Sequence, residues 1–175
     1  MNTFHPRLHE LVNTLDMRRH PEGGWYSEVY RSSSLVKPQG DGRGDRTALT
    51  SIYFLLALGQ CSAWHKVQSD EVWIYLEGNP LDLWTWDALN NIAKCKNLGP
   101  VGEHVRPQHT VPAGLWQAAQ PQPQQDGPGF TLVACTVGPG FDFADFEMMK
   151  PAGAQAAQLA QSWPQLAAFI PLPPG

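Results

Sequence analysis

Charge is scarce in this 175-residue chain: Asp, Glu, Lys and Arg make up 16% of it, against about a quarter in an ordinary soluble domain. Its 12 Lys and Arg residues form no block, and the formal net charge is -4. The concentrated positive footprint that a nucleic-acid binder needs is therefore missing. Cysteine is sparse too. Cys61, Cys95 and Cys135 stand far apart, without a CxxC pair or zinc-type spacing, and read as buried thiols. The longest apolar run, Ile52 to Leu58, is far too short to span a bilayer. No signal peptide is visible, because charges and histidines run through the N-terminal region. A cytoplasmic protein that binds neither nucleic acid nor membrane is the expectation. No internal repeat is evident.

Aromatic residues, by contrast, are plentiful, with seven Trp, seven Phe and four Tyr. A chain of this length fits one domain, here residues 1-175, and buries roughly 70% of its extended surface, enough for a core without disulfides or a structural metal. Low charge and many aromatics argue against disorder and suit either a subunit interface or an aromatic-lined cavity.

Pattern reading gives many short strands. Pro6 suits a first helical turn, and Leu8, Leu11, Val12 and Leu15 form one stripe, so a helix is expected over about 6-16 with His5 and His9 exposed. His20-Pro21-Glu22-Gly23-Gly24 is a turn, followed by period-two alternation from Trp25. Val36 to Asp45 reads as a long loop, and Thr47 to Leu58 as a central strand with two apolar faces. Ser62 to Val67 and Glu71 to Leu76 are strands on either side of a bend at Gln68-Ser69-Asp70. Leu81 to Trp86 alternates again, whereas Lys94 to Gly102 reads as a turn region around a short strand or loop. Further strands fall at Val105 to Thr110, Leu115 to Ala119 and Thr131 to Val137. An Ala- and Gln-rich helical tail covers about 152-170. Short strands with frequent turns predict an all-β barrel or sandwich, with its core over about 20-150.

His65, Glu71 and Gln117 are the residues that could do chemistry. On one straight strand the first two would lie about 20 Å apart, so they meet only if the chain folds back between them. Trp73 and Tyr75 share the parity of Glu71 and are expected to line the same cavity. Tyr53, Lys66, Arg31, Arg46, His20 and Glu22 complete the expected ligand-binding set, the arginines because a guanidinium fork grips carboxylate or phosphate. Phe141, Phe143 and Phe146, with Asp142 and Asp145, read as structural, closing the barrel.

These residues resemble the cupin superfamily. Its first motif, a His-x-His pair before a Glu and then a Gly, is matched by His65, Val67, Glu71 and Gly78. Its second, Pro-x-Gly-x-x-His, is matched by Pro112-Ala113-Gly114-Leu115-Trp116-Gln117. The chain is most similar to an uncharacterised branch. The likeness there rests on His20 to Trp25, Ser62 to Trp73 and Thr136 to Glu147, and extends from about residue 8 to about 150. The resemblance implies a double-stranded β-helix, or jelly roll, with short terminal helices, usually dimeric, and a likeness to sugar epimerases of that fold. It also implies a reduced metal site: Val67 cannot ligate, and only His65, Glu71 and Gln117 would remain to hold a divalent metal, so no cofactor is expected. Four readings stay open. One is a metal-independent epimerase or isomerase acting on a sugar or sugar nucleotide, with His65 and Glu71 as acid and base. Another is a non-enzymatic binder of a small polar or carbohydrate-like ligand. A third is a divalent-metal enzyme such as a dioxygenase. The last is an oligomeric structural protein with a relic cavity.

Overall fold

The computed structural model describes residues 5–40 and 42–172. In chain order the elements are α1 (Pro6–Thr14), β1 (Arg18–Arg19), β2 (Trp25–Arg31), β3 (Leu35–Val36), β4 (Arg46–Thr47), β5 (Thr50–Ala57), β6 (Ser62–Val67) and β7 (Asp70–Gly78). Then follow β8 (Leu81–Asp87), β9 (Ile92–Leu98), β10 (Val105–Arg106), β11 (Gln108–Val111), β12 (Trp116–Pro121), β13 (Phe130–Gly138), β14 (Phe146–Met148) and α2 (Ala154–Ser162). Short 3-10 turns cover Phe143–Asp145 and Pro164–Phe169. No helix among the described residues is long and apolar enough to cross a membrane.

Two six-stranded sheets face each other, ordered β1-β2-β5-β13-β7-β11 and β10-β9-β8-β12-β6-β14. From β5 to β8 the chain changes sheet at every strand, and β11 to β14 alternate in the same way. This is the winding of a jelly roll. It turns the Gln68-Ser69 bend into a crossing between layers, so that residues facing inward from β6 and β7 meet across the interior.

Strand parity divides the apolar residues among three cores. Phe54, Leu56, Trp73, Leu83, Ala119 and Val133 fill the space between the sheets. On β5 the alternate residues Leu55 and Ala57 face outward and are covered by Leu8 and Leu11 of α1. Trp64, Trp86 and Trp116 leave the other sheet outward and pack beneath Leu159 of α2 and Leu166 and Phe169 of the tail. This explains why β5 reads as apolar on both faces: it lies between the interior and a helix. The Trp64 indole donates to the Leu166 carbonyl at 3.0 Å, and Arg7 fixes α1 through two bonds to Glu77 at 2.8 and 2.9 Å.

The turn region expected around 94–102 is corrected here. Ile92 to Leu98 is a full strand, paired with β8 at seven positions. Its exposed residues, Lys94 and Lys96 among them, replace the apolar alternation that would have revealed it. Between β3 and β4 the described residues form a loop, as expected, Asp41 lying outside the described residues, and the segment is tied down at one end. Arg43 and Arg46 both bond Asp145, Arg46 through Nε at 2.8 Å and Nη2 at 2.8 Å.

Candidate functional site

One end of the interior is not filled by side chains. There a cavity of about 350 Å³ opens, lined by His20, Glu22, Tyr26, Ile52, Phe54, His65, Val67, Glu71, Cys135 and Phe146, with Arg18, Arg31, Phe141 and Phe143 also part of its wall. A cavity of this size suits a small molecule.

The His20–Gly24 turn delivers two of the polar groups. Gly23 and Gly24 take φ of +116° and +69°, and a Cβ on either would strike a carbonyl, that of Cys61 and of Leu55 respectively. Only glycine lets this segment press against β5 and the start of β6. The Ala63 N–H then donates to the Glu22 carbonyl at 2.8 Å, and the Glu22 side chain is driven inward.

Glu22 meets His65 there. Its Oε2 lies 3.1 Å from His65 Nε2, and its Oε1 accepts from Ser62 Oγ at 3.0 Å. His65 Nδ1 lies 2.8 Å from the Ala63 carbonyl, which can only accept, so Nδ1 carries a proton. A neutral His65 therefore has a bare Nε2, and one proton must sit between it and Glu22. Burial raises the Glu22 carboxyl from an ordinary 4.5 to about 8, only partly offset by the Ser62 hydroxyl. Burial also lowers the His65 imidazole, against the opposing pull of Glu71 and the Ala63 carbonyl. Both directions place the proton on Glu22, as a neutral acid donating to a neutral ring.

Glu71 lies on the other sheet. Its Oε2 accepts from Gln117 Nε2 at 2.5 Å, and the buried Cys135 thiol interacts with the same carboxyl. Burial raises its pKa, while His65, Gln117 and Cys135 oppose that rise. Gln117 is fully buried behind Glu71, and its Oε1 accepts from Trp73 Nε1 at 3.1 Å.

The residues expected from sequence separate into two groups. His20, Glu22, Arg31, His65 and Glu71 line the cavity. Tyr53, Lys66, Arg46, Trp73, Tyr75 and Gln117 do not, and each has a physical reason. Tyr53 lies between Ile52 and Phe54, so parity turns it toward the α1 side. Lys66 is adjacent to His65 and faces out, paired with Glu147 at 3.0 Å over the Trp116 ring. The fork of Arg46 is spent on Asp145. Trp73 is core beneath the cavity floor, and the Tyr75 hydroxyl donates to the Gly78 carbonyl at 2.6 Å, where the β7–β13 register shifts. The carboxyl in contact with His65 is that of Glu22, at 3.1 Å, while Glu71 stands on the other sheet beside Gln117. Phe141, Phe143 and Phe146, expected to close the barrel, also form part of the wall, with Phe146 against the His65 ring at 5.5 Å. Arg18, Tyr26, Ile52 and Cys135 were missed, although Ile52 shares the parity of Phe54.

The set His65, Glu71 and Gln117 does not fit a metal in this geometry. Gln117 lies behind Glu71 and outside the cavity lining that holds His65 and Glu71, its amide turned to Trp73 and Glu71, so the three do not converge on one ion. Among the described residues no group of three or more His, Cys, Asp or Glu is arranged to hold one.

A jelly roll with a side-chain-lined cavity at one end of its interior defines a cupin-fold, small-molecule-binding protein. The chain belongs to the cupin superfamily family DUF985, whose pattern matches residues 9–149. It is 34% identical to a hypothetical protein from Leishmania major, over 93% of this chain and 95% of that one, with a TM-score of 0.77. It is 31% identical to SO0799 from Shewanella oneidensis, over 94% and 97%, with a TM-score of 0.75. The uncharacterized Saccharomyces cerevisiae protein YML079W is 28% identical over 155 residues, 82% of this chain and 75% of that one.

Proposed function

We propose that this protein moves a proton on a small hydroxy-carbonyl, carbohydrate-like molecule, as an epimerase or isomerase. The observation that carries the reading is the buried Glu22–His65 pair, 3.1 Å apart and holding one proton, with a second carboxyl, Glu71, across the same cavity. Inversion at a carbon beside a carbonyl needs a base on one face and an acid on the other. Glu71 takes the proton from carbon, and the C–H electron pair moves onto the carbonyl oxygen as an enolate. The Glu22–His65 pair then supplies its proton to the opposite face, and the carbonyl re-forms. Glu71 is left protonated and the pair one proton short, and exchange with water resets both. Burial suits each role: it makes the Glu71 carboxylate a stronger base and keeps Glu22 protonated and neutral at neutral pH.

The test is deuterium incorporation from heavy water at the carbon next to the carbonyl of small keto- and aldo-sugars, followed by NMR. Wild type is expected to incorporate, and His65→Asn and Glu71→Gln to lose about 100-fold or more, the scale of general acid–base catalysis. If wild type binds these sugars without incorporation and both variants bind as well, the protein is a ligand carrier and the catalytic reading is wrong.

A further inference from the structure

His20 is a polar group that the proton-transfer scheme does not use. Its side chain is only 7% exposed and lies in the cavity wall, edge-on to Tyr26 at 4.6 Å, Phe54 at 5.8 Å and Phe146 at 6.1 Å. The Glu22 backbone N–H donates to His20 Nδ1 at 3.4 Å, so that nitrogen carries the lone pair and the proton of the neutral ring sits on Nε2. The nearby Glu22 Oε2, 3.5 Å from the same Nδ1, is therefore not an ion-pair partner. Nε2–H has no protein partner among the described residues, and it is not among the buried polar atoms sealed without one. The residue lines the cavity, which is the space left for that proton. The groups of charge or titration around it are Arg18, His65 and Glu22.

We propose that His20 is the donor that binds the substrate's carbonyl oxygen through Nε2–H and stabilises the enolate formed there, which makes the ligand a small hydroxy-carbonyl compound bound by its oxygen at His20. The inference rests on the proton-transfer reading and adds the group which that scheme lacks: an enolate in a low-dielectric cavity needs a fixed donor. A neutral imidazole suits the task. It does not surrender its proton to the enolate as an imidazolium would, and the aromatic rings hold its orientation before substrate arrives. Burial, together with the positive charges His65 and Arg18 can carry, lowers the ring to about 3, so it stays neutral throughout the working range. The pairing of Glu22 with His65 and of its backbone with His20 means that one turn positions both the acid and the oxyanion donor.

The experiment uses full-length protein with 15N-labelled histidine and dihydroxyacetone as the probe. At neutral pH the His20 ring is expected as the Nε2–H tautomer, and its Nε2–H resonance is expected to shift on adding dihydroxyacetone, in wild type and in His65→Asn alike. In heavy water, His20→Phe is expected to slow hydrogen exchange of dihydroxyacetone by about 100-fold, the usual loss for one oxyanion donor, and His20→Gln, which keeps an N–H, to recover part of it. An Nδ1–H tautomer, an imidazolium, or an Nε2–H resonance that dihydroxyacetone leaves unmoved overturns the assignment. Two outcomes separate the inference from the reading it rests on. If the resonance shifts but wild type exchanges no hydrogen, the acid–base scheme falls and the donor site stands. If exchange persists at the full rate in His20→Phe, the donor site falls and the scheme stands.

Discussion

Replacing Glu22 by glutamine should make the protein more stable at neutral pH. The unfolded Glu22 carboxyl ionises around 4.5, whereas the folded one keeps its proton up to about 8. Between those values the folded state holds a proton that the unfolded state has lost, so stability falls as pH rises through the window and levels off above it. One unit is worth about 1.4 kcal/mol. The loss is then about 3 kcal/mol by pH 7 and about 5 kcal/mol once the folded carboxyl titrates. The Glu22→Gln variant would escape it. The oxygen of its new amide can accept from Ser62, and the amide N–H can donate to the bare His65 Nε2, in the shape Glu22 already occupies. His20 and His65, whose folded pKa values are depressed, lose stability as pH falls below their unfolded value, but they do so in both proteins and cancel in the difference. Urea denaturation of Glu22→Gln and wild type across pH 4.5 to 8.5, compared at equal m-value, reads that difference directly. The variant should match wild type at the acid end and exceed it by about 3 kcal/mol at pH 7. If Glu22 and His65 were instead a buried carboxylate–imidazolium pair, removing one charge would cost about 3 to 5 kcal/mol. A variant less stable than wild type at neutral pH, or a gap that ignores pH, refutes the neutral-acid assignment.

Two further outcomes concern the frame of the site. Asp145→Asn should lower stability by about 2 kcal/mol, short of a fully buried pair because Arg46 keeps some solvent contact; thermal melts check this. The Arg46 and Arg43 guanidiniums hold the Asp145 carboxyl below its ordinary 3.8, so its contribution is present above that value and fades as pH falls through the folded one. The melting difference between wild type and Asp145→Asn should accordingly shrink in strong acid, and a difference unchanged there would sever the link to charge. Gly24→Ala should cost about 3 kcal/mol, from a left-handed backbone and a Cβ against the Leu55 carbonyl; a denaturation midpoint near that of wild type would show that the turn does not need the close approach.

Most of the architecture was legible because period-two patterning survives wherever a strand has a buried face. Thr50 to Ala57 and Phe130 to Gly138 declare themselves this way. Ile92 to Leu98 did not, since its exposed lysines carry no apolar signal and its pairing with β8 is invisible from one strand alone. Parity, applied consistently, would have removed two residues expected in the ligand-binding set that the structure turns away from the cavity. Lys66 beside His65 and Tyr53 between Ile52 and Phe54 must face away from the cavity once their neighbours are known to face it.

The sequence by itself determined most of the strand content, the turn chemistry and the presence of two imidazoles, His20 and His65, and two carboxyls, Glu22 and Glu71, in or near its turns, because those follow from residue type and local spacing. Only the tertiary structure decided that Glu22, rather than Glu71, holds His65, and that Gln117 serves Trp73 and Glu71 instead of the cavity. Partners far apart in the chain, 44 residues for Trp73 and Gln117 and 46 for Glu71 and Gln117, meet through the exchange of strands between two sheets. Proton positions then depend on burial, which is a property of the packed whole and not of any segment.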